Sequence, residues 1–163
     1  MFTRILNYVS LALATGLGVA YLTPFAKATL ASAVTAVAYY VLARGGDDIG
    51  LDTVLVAAIL VVFFVGVAVS ARVKSDDDPD PSKVVIDEVA GQLAAFLILT
   101  PVEWWLVVAA FLLFRVFDIV KPFGIRRLEG IGGGWGIMLD DLAAGLLAAA
   151  AINAAVLIAN AVL

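Results

Sequence analysis

A chain of 163 residues with 64% hydrophobic residues, 15% charged residues and a mean hydropathy of +1.10 would expose too much apolar surface as a soluble domain. Its formal net charge of -4 argues against nucleic acid as a partner. It contains no cysteine and no histidine, which excludes disulfides, zinc–thiolate sites, Cys nucleophiles, Ser-His triads and phosphohistidine. Acid–base or metal chemistry must therefore use carboxylates, supported by Lys, Arg, Tyr, Ser or Thr.

Six apolar stretches are predicted in chain order, at about 5–22, 28–43, 51–70, 84–100, 103–121 and 136–162. Thr53–Ala71 runs 19 residues without a charge and Leu142–Leu163 runs 22. Roughly 20 helical residues cross a bilayer core, so both are long enough. The expected architecture is an all-α polytopic membrane bundle of five to six apolar helices, forming one domain over residues 1–163. The first stretch follows Arg4 without a small-residue cleavage pattern and is expected to stay in the mature fold. Gly16, Gly18 and Pro24 could break it into a re-entrant segment covered by protein.

The polar connections are Arg44–Gly50, Arg72–Lys83 and Lys121–Gly134, with a tight turn expected at Thr100-Pro101. The acidic run Asp76–Pro81 reads as a solvated linker. If all six stretches span, Lys27, Arg72, Lys74, Lys83, Lys121, Arg126 and Arg127 share one side, opposite Arg4 and Arg44. A re-entrant first stretch moves Arg4 to the basic side. Either way, the positive-inside rule puts the two long basic loops in the cytoplasm. Trp104, Trp105 and Trp135 fit interfacial aromatic belts. The spacings Gly91/Ala95, Gly145/Ala149 and Ala144/Ala148 suit close helix contact inside the monomer.

Alternating spans bring the charges together. The fourth stretch starts with Asp87 and Glu88, the fifth ends with Arg115, Asp118 and Lys121, and the sixth starts with Asp140 and Asp141. Arg115, Asp118 and Lys121 are spaced to lie along one helical stripe. Arg115 would sit about 10 Å below Pro122 at roughly 1.5 Å per residue, a depth that demands a partner or a polar cavity. Acids in a first turn and cations in a last turn are also favoured by the helix dipole alone. Dipole preference does not account for doubled acids on two helices beside an inward Arg-Asp pair. Oxygen donors without histidine suit Mg²⁺ completed by a phosphate. Gly132–Gly136 opens the sixth helix as either a flexible loop or an anion-binding N-terminus.

Three blocks then carry a resemblance. Asp80-Pro81-Ser82-Lys83-Val84-Val85-Ile86-Asp87-Glu88-Val89-Ala90-Gly91-Gln92, Phe114-Arg115-Val116-Phe117-Asp118-Ile119-Val120-Lys121-Pro122 and Gly134-Trp135-Gly136-Ile137-Met138-Leu139-Asp140-Asp141-Leu142-Ala143-Ala144-Gly145 resemble the ordered motifs of the phosphatidylglycerophosphatase A family. In the N-terminal third, Thr29 and Ser32 match, while Lys27-Ala28 stands where the family has Pro-Gly. The resemblance implies a phosphoric monoester hydrolase of the bacterial inner membrane, with its site facing the cytoplasm. It would convert the phospholipid phosphatidylglycerophosphate to phosphatidylglycerol with Mg²⁺. Asp87, Glu88, Asp118, Asp140 and Asp141 become candidate metal ligands, with Asp87, Asp118 and Asp141 also candidate catalytic carboxylates and Arg115 and Lys121 phosphate clamps. Water attack and attack by an Asp oxygen both remain open. The rival readings are a cation-coupled carrier, which would place its charges nearer the midplane between repeat halves, and a catalytically silent scaffold.

Overall fold

The longest charge-free runs form the longest helices. Thr53–Ala71 lies inside α3 (Asp48–Val73), and Leu142 onward completes α6 (Gly134–Val162). At 26 and 29 residues these reach about 39 and 43 Å at 1.5 Å per residue, more than the bilayer core requires. The computed structural model describes residues 2–22, 26–44, 48–73, 83–99 and 102–162. The remaining helices are α1 (Phe2–Ala14), α2 (Lys27–Ala43), α4 (Ile86–Ala94) and α5 (Trp104–Val120), with 3₁₀ segments at Val19–Tyr21 and Pro122–Gly130. No strand occurs among the described residues. The linker Asp76–Pro81, the turn at Thr100-Pro101, Pro24 and the Asp80-Pro81-Ser82 start of the first motif lie outside them.

The all-helical expectation holds, and of the five to six expected apolar spans two stand out by length. Among the described residues, only α3 and α6 are long and apolar enough to cross a membrane by themselves. The fourth stretch, expected to continue to 100, stops as a nine-residue helix at Ala94 and turns, with Ile98 at φ 59°. Its remaining residues are apolar for another reason: Ala95, Phe96 and Leu99 are buried in the protein core. Asp52 Oδ1 accepts the Ile98 N–H at 3.2 Å, and Asn153 Nδ2 donates to the Leu97 carbonyl at 3.0 Å. Side chains from α3 and α6 thus satisfy backbone groups that the truncated helix leaves unpaired.

The first stretch also breaks. Gly16, Leu17 and Gly18 all have positive φ, so α1 ends at Ala14 and the 3₁₀ turn begins only at Val19. Leu17 holds a conformation unfavourable for a branched side chain, and its side chain is 81% exposed. The Ala14 carbonyl accepts the Val85 N–H at 2.8 Å, which ties the end of α1 to the start of α4.

Two clusters give the helix directions. Ala31, near the start of α2, packs with Ala20 and Val85, whereas Tyr39, near its end, stacks on Phe96 at 4.3 Å between ring centroids. α2 and α4 therefore run side by side in the same direction. α5 runs back and returns Lys121 to the charged end through its contact with Asp140 on α6. Trp104 and Trp105 are exposed at the far end, and Trp135 packs edge-on against Phe63 and Phe64 at the charged end. The tryptophans thus mark both ends of the bundle, as interfacial belts do.

The outer surface carries Val34, Val37 and Val41 on α2, Val61 and Phe64 on α3, and Leu112, Val116 and Ile119 on α5, all exposed. Such a surface suits lipid and would aggregate in water. Inside, small residues let the helices approach. A Cβ on Gly145 would collide with the Gly91 carbonyl, and a Cβ on Gly134 with the Val67 carbonyl. Ala95, Ala144 and Ala148 share a buried cluster with Phe114 and Ile125. The small-residue spacings are packing seams of the monomer, as their positions suggested.

Candidate active site

α4 begins beside α6 because Gly91 and Gly145 remove the side chains that would hold the two helices apart. That seam fixes where Asp87 and Glu88, one turn earlier on α4, meet Asp141, one turn earlier on α6. Asp87, Glu88 and Asp141 each offer a carboxylate oxygen, and the three oxygens lie within 4.8 Å of one another. Asp87 Oδ1 also accepts the Glu88 N–H at 3.1 Å. This local bond holds the Asp87 side chain near the helix start while Glu88 turns inward.

The second acid pair divides its work. Asp141 joins the three-carboxylate group, and Asp140 pairs with Lys121 Nζ. Both are more than nine-tenths buried. Lys121 also donates to Glu129 Oε1 at 2.7 Å. The predicted stripe of Arg115, Asp118 and Lys121 holds only for its first two members. α5 ends at Val120, and Lys121 takes a left-handed conformation (φ 48°, ψ 58°), which takes it out of the helix. Burial alone would lower the Lys121 pKa, but hydrogen bonds to Asp140 and Glu129 outweigh it and hold the ammonium above its ordinary range.

Arg115 Nη1 lies 2.8 Å from Asp118 Oδ2, with both side chains 13% exposed. Asp118 in turn faces Asp141 closely enough for their carboxyls to interact. All seven residues singled out in the sequence therefore come together at one end of the bundle. Several of their atoms are buried without an aligned protein partner: Glu88 Oε2, Asp140 Oδ1, Asp141 Oδ2 and Arg115 Nε. Buried acceptors and donors left unpaired are costly, so the arrangement is one that a bound cation and a bound anion would complete.

The residues fit a hard divalent cation. Asp87, Glu88 and Asp141 offer three oxygens in one small volume, with no nitrogen or sulfur donor, which is the donor set of Mg²⁺. Asp118 and Asp140, also expected as ligands, each pair through one oxygen with Arg115 and Lys121.

Two residues of this region were not anticipated as site residues. Glu129 shares Lys121 with Asp140 from a loop that shows no periodicity. Gln92 is fully buried with both amide atoms unpartnered. Its signal was in the sequence, since an amide four residues after Glu88 follows the same helix face. Two of the glycines of Gly132–Gly136 have a packing role. Gly134 fits against Val67, and Gly136 against the Ile131 and Glu129 carbonyls.

The family model of Phosphatidylglycerophosphatase A matches residues 12–156. This chain belongs to that family. Curated relatives include a Bacteroides thetaiotaomicron protein named "Putative phosphatidylinositol-3-phosphatase", 44% identical over 93 residues, covering 55% of this chain and 58% of the relative. The Phosphatidylglycerophosphatase A of Haemophilus influenzae is 41% identical over 70 residues, covering 42% and 43% of the two chains. That of Escherichia coli is 38% identical over 71 residues, covering 43% and 41%. Each alignment thus spans less than two thirds of the relative's length. No solved structure matches the chain. Membership of the phosphatidylglycerophosphatase A family agrees with two membrane-length helices and an acidic site at their shared end.

Proposed function

We propose that this member of the phosphatidylglycerophosphatase A family is a Mg²⁺-dependent phosphatase of the bacterial inner membrane. It hydrolyses phosphatidylglycerophosphate to phosphatidylglycerol and phosphate at the cytoplasmic face. The carrying observation is the meeting of Asp87, Glu88 and Asp141 within 4.8 Å, beside Arg115 and Lys121, at one end of an apolar bundle. A carrier would place such charges near the midplane, and a silent scaffold would have no use for unpaired buried charges. The further spans of the polytopic bundle belong to this reading: α2 and α5, at 17 residues each, reach about 25 Å, near the lower limit for crossing.

Asp87, Glu88 and Asp141 would hold the metal, which supplies Lewis-acid polarisation of the phosphoryl oxygens when bound. Arg115 keeps its Nε donor free of Asp118 and can direct it at a phosphate oxygen as charge is redistributed during transfer. Lys121, fixed by Asp140 and Glu129, contributes a second positive charge. Asp118, between Arg115 and Asp141, would take the proton of an attacking water. The water oxygen bonds to phosphorus, the bond from phosphorus to the glycerol oxygen breaks, and the proton taken by Asp118 passes through solvent to that oxygen, which leaves as the lipid alcohol. The acyl chains can stay among the exposed apolar residues of the bundle while the phosphate reaches the charged end.

One relative is named for a phosphatidylinositol phosphate and two for phosphatidylglycerophosphate. All three names share a phosphomonoester on a lipid headgroup. Phosphate release by the purified protein from the two lipids in parallel tests the choice. Faster turnover of phosphatidylglycerophosphate is expected, and release from the inositol lipid alone would overturn it.

A further inference from the structure

The chain between α5 and α6 turns outward before it turns inward. Lys121, Phe123 and Gly124 all have positive φ, at 48°, 55° and 84°. Gly124 adopts this conformation freely, whereas an aromatic residue rarely does. Two residues on, Ile125 is 8% exposed and packs with Phe114, Ala144 and Ala148, which fixes the segment to the bundle. Phe123 is 90% exposed, more than any other large apolar residue among those described. Neighbouring Ile119 and Val120, at the end of α5, are exposed as well, and so are Arg126 and Arg127. Packing within the chain does not account for an outward aromatic ring held in an unfavourable conformation by an anchored loop.

We propose that Phe123, Arg126 and Arg127 form a finger that inserts into the surface of an anionic phospholipid layer and delivers lipid to the adjoining charged site. The ring extends the apolar band of α5 into the headgroup boundary, where aromatic side chains are favoured. The two guanidiniums meet lipid phosphates, an attraction that weakens with salt. Lys121 begins this segment, so a lipid gathered by the finger lies next to the acidic cluster. The delivery step rests on the lipid phosphatase reading, while the insertion itself does not.

The chain has no cysteine, so a single Phe123→Cys or Gly130→Cys change gives a unique labelling position. Each variant would carry an environment-sensitive fluorophore in vesicles of phosphatidylglycerol and phosphatidylethanolamine. At 123 the label should be quenched by nitroxides carried on the lipid and shielded from aqueous iodide. At 130, where open space surrounds the backbone, the order should reverse. Quenching of 123 by iodide as strongly as 130 overturns insertion. In the second arm, Phe123→Ala should raise KM several-fold for phosphatidylglycerophosphate in these vesicles. It should leave kcat, and the rate on a dispersed short-chain substrate, unchanged, and Phe123→Trp should restore KM. Arg126→Gln with Arg127→Gln should remove the salt dependence of KM. An unchanged KM in Phe123→Ala overturns delivery. If the wild-type protein releases no phosphate from any lipid, the phosphatase reading and the delivery step both fail, and the quenching result still decides insertion.

Discussion

Gly91 of α4 and Gly145 of α6 meet so closely that a methyl group on Gly145 would overlap the Gly91 carbonyl. This contact sets the distance between Asp87 and Glu88 on one helix and Asp141 on the other. Gly145→Ala should therefore cost about 1–3 kcal/mol of stability through overpacking. It should also lower activity by more than the unfolded fraction explains, because the three carboxylates separate. Thermal unfolding and turnover of the folded protein, measured together, check this; normal turnover in a destabilised variant would dissociate the seam from the site.

The broken fourth helix makes its own claim. Asn153→Leu removes the donor to the Leu97 carbonyl, and a loss of about 1 kcal/mol is expected. Asp52→Ala should act similarly at the Ile98 N–H. If α4 instead continued as a full span in the membrane, neither change would matter, and unchanged thermal midpoints in both would show it.

Orientation is tested by labelling. Cysteines placed at Ser75 and Gly130 should be protected from an impermeant thiol reagent in intact cells, and one at Arg44 should react. Labelling of Gly130→Cys from outside would contradict a cytoplasmic site.

Most of the site was legible in the sequence because it depends on connectivity. Helices that alternate in direction bring Asp87, Arg115, Asp118 and Asp141 to one end without any knowledge of packing. What stayed hidden depended on side-chain surroundings. Apolar residues 95–99 read the same whether lipid or protein covers them, so the turn after Ala94 was invisible. The left-handed Lys121 ended a stripe that spacing alone would continue, and its link to Glu129 crosses an irregular loop. Gly134 and Gly136 read as either a flexible loop or an anion-binding helix start because sequence does not show the backbone pressed against them.

Arg115 distinguishes a phosphate clamp from a structural cation. Its fork can bind two phosphate oxygens, which Lys cannot reproduce. Arg115→Lys should lower kcat about 10²-fold, equivalent to about 2.7 kcal/mol of lost transition-state stabilisation, with little change in thermal midpoint. Normal kcat with a lowered midpoint would make Arg115 only the partner of Asp118.

The most direct test of the whole account is phosphate release from phosphatidylglycerophosphate by the purified protein as divalent metal is removed and restored. Release should stop in EDTA and return with Mg²⁺. Asp141→Asn should abolish it at every Mg²⁺ concentration while leaving the helical circular dichroism unchanged. Full release in EDTA, or an active Asp141→Asn protein, would contradict the metal site formed by Asp87, Glu88 and Asp141.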